Sequence, residues 1–155
     1  MTYLILLILP AGLIAAFAFT GHALGSLGRV GLRRAGRTVW LRSVAALLAA
    51  FAAVLYTWGL LNVLYAVMEA RENSPEASPA PPCLFPGQEE RAASVVGYTV
   101  DYVPLRFVCE TENGGGYATP AVPGYVNPAV LSFALTAGAV CAGAAALDGR
   151  RPRGR

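Results

Sequence analysis

The chain has 155 residues, of which 55% are apolar, and a positive mean hydropathy. That apolar share exceeds the roughly 45–50% typical of a soluble domain, and it is gathered into three blocks rather than spread at strand or helix periods, which argues against a soluble globular fold. The formal charge of +3 is carried by twelve arginines and no lysine, set against nine acids, and the two signs fall in different segments of the chain.

Residues 3–26 form the first predicted transmembrane helix, running from Tyr3 through Leu9, Pro10 and Leu13 to Phe19. At about 1.5 Å per residue it is long enough for a ~30 Å hydrocarbon core. Pro10 removes a backbone donor, so a bend is expected there. Only Met1 and Thr2 precede the block, without a basic residue, so it is read as a retained span and not a cleaved signal. Arg33 and Arg34 follow the apolar core instead of preceding it, which excludes a twin-arginine signal.

Residues 27–39 form a basic loop with Arg29, Arg33, Arg34 and Arg37. If that stretch were helical, Arg29, Arg33 and Arg37 would make one basic face, each worth ~1 kcal/mol against anionic lipid. The second predicted span, residues 40–69, is longer than the core requires. With Trp40 and Arg42 at one interface and Tyr65, Glu69 and Arg71 at the other, a tilt is expected to take up the excess.

Residues 70–82 are a proline-rich tether. Residues 83–127 change character. Val95, Val96, Val100, Val103 and Val108 interleave with Tyr98, Tyr102 and Phe107, which is strand material. Alternation puts Val96, Tyr98, Val100 and Tyr102 on one face and Val95, Gly97, Thr99, Asp101 and Val103 on the other. Leu105, Phe107 and Cys109 share a face opposite Arg106, Val108 and Glu110. A turn at Val103-Pro104 is expected, although proline also suits a bend. Asn113-Gly114-Gly115-Gly116 supply a second reversal, and Tyr117 to Val122 return as a third strand of a meander.

A unit of this size buries little core and needs a staple. Cys83 and Cys109 are expected to form a disulfide, which closes a loop worth roughly 3 to 4 kcal/mol on the entropic model. A redox pair is disfavoured by the wide spacing, and two thiolates without an external histidine do not make a zinc site. No metal or cofactor is expected.

The third span, residues 128–147, is introduced by Asn127 as N-cap and Pro128 as first helical residue, and Gly149 is expected as its left-handed C-terminal stop. Residues 148–155 are a basic tail holding Arg150, Arg151, Arg153 and Arg155. Arginines concentrate in this tail and in the first loop, so both are expected to be cytoplasmic, with the N-terminus and the connection between spans two and three outside.

The fold class is therefore a mainly α membrane protein: three transmembrane helices with a small disulfide-stapled, β-rich extracytoplasmic insert between helices 2 and 3. Gly21 with Gly25, and Ala134, Gly138 and Ala142, are candidate close-packing faces. Asn62 is expected to bond to another helix. His22, the sole histidine, is read as an interfacial or packing residue, and Cys141 as a small packing residue. No catalytic, cofactor-binding or metal-ligating constellation stands out, and the arginine clusters lack a nucleic-acid-binding fold.

Two segments carry a resemblance: Val103-Pro104-Leu105-Arg106-Phe107-Val108-Cys109 followed by Asn113-Gly114, and Val122-Pro123-Gly124-Tyr125-Val126-Asn127-Pro128 leading into a span. In these the chain resembles small multi-pass membrane proteins of unknown function from high-GC Gram-positive bacteria that carry a two-cysteine extracytoplasmic insert. The resemblance implies a bacterial cell membrane and assigns no catalytic residue. Three functions are expected in descending order: a non-enzymatic interaction or accessory subunit binding another protein, an oligomeric transporter or channel subunit, and a membrane thiol oxidoreductase. The partners are then the bilayer and another protein or a second copy.

Overall fold

Long runs of Leu, Ile, Ala and Val leave the backbone no polar competitor for its own hydrogen bonds, and in lipid a helix satisfies all of them internally. The computed structural model, which describes residues 2–31, 35–72 and 81–149, has three such helices: α1 (Thr2–Val30), α2 (Arg37–Glu72) and, last in the chain, α4 (Val126–Gly149). Segments Tyr3–Val30, Arg37–Glu72 and Val126–Gly149 have best-window mean hydropathies of 2.3, 2.1 and 2.0 and are long enough to cross a membrane. Between α2 and α4 lie a 3-10 turn (Pro81–Cys83), a one-turn helix α3 (Glu89–Ala92), and strands β1 (Val95–Tyr102), β2 (Leu105–Thr111) and β3 (Gly116–Ala118). The strands form one antiparallel sheet in the order β1-β2-β3, and Cys83 is bonded to Cys109. The chain is a multi-pass membrane protein with a disulfide-stapled β insert.

The chain divides into two compact units, Met1–Leu9 with Thr57–Asn127, and Pro10–Tyr56 with Pro128–Arg155. In the first, Val103-Pro104 is a two-residue hairpin loop closed by the Tyr102↔Leu105 pair, with a cis peptide bond. Leu105, Phe107 and Cys109 are buried while Arg106 and Glu110 are exposed, the alternation expected of a one-sided strand. In β1 the expected alternation fails at one end. Val95 is buried and Val96 is 63% exposed, because a bulge between Val95 and Gly97 inserts an extra residue and turns Val95 to the face of Val100 and Phe107. β3 ends at Ala118, short of Val122, where Pro120 cannot donate to a ladder. The turn before it uses Gly114 at φ +73°.

The far part of α2 belongs to this unit. Leu60, Val63, Val67 and Ala70 are each no more than 2% exposed and recur at helical spacing. Gly59 lets the chain come close: a Cβ there would stand 2.7 Å from Leu105 Cδ2 and 3.0 Å from Val126 Cγ1. The excess length of α2 is thus used in packing within the unit.

In the second unit, the Ser26 and Ser43 hydroxyls meet at 2.8 Å, Phe51 stacks on Phe133 at 6.0 Å, and Arg42 Nη2 lies 2.7 Å from Asp148 Oδ2. α1 passes through Pro10 as helix. It stops at Gly31, whose φ of +78° and N–H bond to the Leu27 carbonyl make a left-handed terminus, the role expected of Gly149 at the end of the last helix. Gly149 itself is the last helical residue of α4. Arg33, Arg34, the four tail arginines and most of the proline-rich tether lie outside the described residues.

Candidate functional site

Three places in the described residues have enough local chemistry to consider. The first is the disulfide. Both sulfur-bearing residues are fully buried, with their Cα atoms 6.1 Å apart. Thiol exchange requires a thiolate to reach the bond, so this geometry describes a staple. Tyr117 closes over it, donating from its hydroxyl to the Cys83 carbonyl at 2.9 Å. Burial raises the Tyr117 phenol above its ordinary value, with Arg91 opposing.

The second is the junction of β2 with the first turn of α4. Asn127 is already inside the helix and is not its N-cap: its Oδ1 accepts from the Leu105 N–H at 2.9 Å and its Nδ2 donates to the Leu105 carbonyl at 3.0 Å. β3 pairs only with Val108, Cys109 and Glu110, so the strand edge at Leu105 has no ladder partner there and the amide supplies one. The sequence marks Asn127 as polar and helix-initial, but only its meeting with β2 reveals this use.

The third is a cleft of about 740 Å³ in the second unit, walled mostly by alanines of α2 and by Ala134, Ala137, Gly138 and Cys141 of α4, with Phe19, His22 and Arg42 also lining it. Cys141 is exposed here and not packed. The predicted close-packing faces are not closely packed. Gly21, Gly25, Ala134, Gly138 and Ala142 are all exposed, and nothing lies within 4 Å of a Cβ placed on any of the three glycines. α4 instead turns Ala137 and Ala144 inward. Asn62 bonds within its own helix, donating to the Trp58 carbonyl at 2.8 Å. Among the described residues no group of three or more His, Cys, Asp or Glu side chains is placed to hold a metal.

The class of protein defined by this architecture is a three-helix membrane protein with a disulfide-bonded sheet inserted before its last helix. Compared with models of protein families, with curated proteins and with solved structures, the chain matches none.

Proposed function

We propose that the protein is a non-enzymatic interaction or accessory subunit that binds another membrane protein through its helices. The observation that carries this reading is that the small-residue faces are left uncovered: Gly21 and Gly25 on α1 and Ala134, Gly138 and Ala142 on α4 are all exposed, with Ala134 and Gly138 lining the open cleft. In lipid, helix association depends on close approach of small residues, because the hydrophobic effect no longer distinguishes protein from surroundings. A chain that satisfied itself would cover these faces with its own helices.

The orientation that goes with this reading puts the N-terminus and the insert outside and the tail in the cytoplasm of a bacterial cell. Arginine enrichment in the first loop and tail supports it, as does a disulfide, which persists in oxidising compartments. The resemblance to small membrane proteins of high-GC Gram-positive bacteria supports the same location.

The test is cross-linking in the native membrane followed by purification in mild detergent. A discrete partner or a homo-oligomer that is lost when Gly138→Leu and Gly25→Leu are introduced is the expected result. A chain that remains monomeric and unlinked would overturn the proposal. The cleft with His22 and Arg42 favours a second reading, an oligomeric transporter or channel subunit. That reading predicts a homo-oligomer with solute flux in vesicles, whereas an accessory subunit shows none.

A further inference from the structure

We infer that the tip of the β1–β2 hairpin, Val103 with Pro104, sits in the lipid interface beside the start of α4. Val103 is 91% exposed, in a loop of only two residues. In water such loops favour Asn-Gly or Asp-Gly. The other reversal of the same sheet, at Asn113-Gly114-Gly115, has that polar chemistry. One sheet therefore carries one turn composed for water and one composed for an apolar medium.

Position selects the medium. The residue after the tip, Leu105, is held by both hydrogen bonds of Asn127, the second residue of a helix long and apolar enough to cross the membrane. Leu105 and Val126 also converge on Gly59 of α2. The residues next to these contact points are Trp58 and Tyr125, 51% and 58% exposed, the amphipathic aromatics that gather at the membrane–water boundary. The hairpin tip is thus tied to the level of Trp58 on α2 and of Tyr125 just ahead of α4.

The tip is also suited to shallow burial. Pro104 brings no N–H into a medium that cannot satisfy one. On the second rung back from the tip, Asp101 faces Arg106, and both are exposed. These charges stay among headgroups and stop the insertion after two residues. The inference requires only that the chain is membrane-spanning, and holds for either orientation and with or without a protein partner.

The test uses the full chain in vesicles of phosphatidylcholine and phosphatidylglycerol. A nitroxide is placed by Val103→Cys in a Cys141→Ser background, with Asn113→Cys as the comparison. At position 103, relaxation by oxygen is expected to exceed relaxation by a water-soluble nickel chelate several-fold, and at position 113 the order reverses. Equal nickel access at the two positions would overturn the inference. So would protection of position 103 from both reagents with spin–spin broadening, which would mean that a second copy covers the tip. The unaltered chain provides an independent readout through a photoactivatable phospholipid. Adducts on the peptide containing Val103 to Arg106 are expected, and their absence alongside adducts at Trp58 and Tyr125 would overturn it.

Discussion

The two compact units achieve order by different means. The insert unit fixes its chain with specific bonds: a ladder in register, a buried disulfide, the Tyr117 hydroxyl on the Cys83 carbonyl, and the Asn127 amide on Leu105. The second unit holds segments of three helices joined by side-chain contacts such as Ser26 with Ser43 and Arg42 with Asp148, around an open alanine-walled cleft. The difference teaches where each draws its stability. A segment too small to bury a large core depends on cross-links and directional bonds. A helix in lipid keeps its backbone bonds whatever its neighbours do, so its own order does not depend on close helix pairing.

That contrast is most severely tested by removing the staple. Cys83→Ser with Cys109→Ser is expected to cost the insert about 3 to 4 kcal/mol, with amide protection lost in β1 to β3 while helical circular dichroism is retained. Simultaneous loss of helicity would show that the two units are one cooperative structure. Next is Asn127→Ala, which leaves the Leu105 N–H and carbonyl without their side-chain partner. A loss of about 2 kcal/mol is expected, read as faster hydrogen exchange at Leu105 before any change elsewhere in the sheet.

Gly59→Ala sets two effects against each other. The added methyl presses on the buried Leu105 at 2.7 Å, an overpacking cost of about 1 to 3 kcal/mol, and alanine returns up to about 1 kcal/mol of helix propensity. A net loss of about 1 kcal/mol in thermal unfolding is expected, confined to the insert unit. Tyr117→Phe removes one hydrogen bond, for about 1 kcal/mol, and changes the alkaline limb. The folded phenol holds its proton above the ordinary value of 10.0, so the folded state binds more protons than the unfolded one as pH rises past that value, and stability falls there. The wild-type insert should weaken more steeply than the Phe variant above about pH 10. The smallest effect belongs to the second unit: Asp148→Asn breaks an ion pair whose side chains are 55% and 33% exposed, and less than about 1 kcal/mol should be lost, shrinking with added salt.

Much of the fold could be read from residue order because the signals are local. Three apolar blocks, valine and tyrosine alternating ahead of Pro104, glycines after Asn113 and two cysteines flanking the strands are each legible within a few residues. The misreadings share another cause. The bulge at Val96 and the hydrogen-bonding role of Asn127 depend on residues far away in sequence, and spacing alone could not distinguish an N-cap from a strand partner. The small-residue motifs were visible, but which side of each helix they would face was not, because helices that are apolar all round give periodicity nothing to mark.

By itself the sequence determined that this chain crosses a membrane with three helices and holds a stapled sheet before the last, since burial in lipid and strand alternation are properties of composition and period. Only the tertiary structure decided that Asn127 binds the strand that carries the Val103-Pro104 tip, and that Gly138 and Gly25 are left uncovered by their own chain. Both follow from how helices rotate and strands end when they meet, and rotation and register are set by contacts between distant residues.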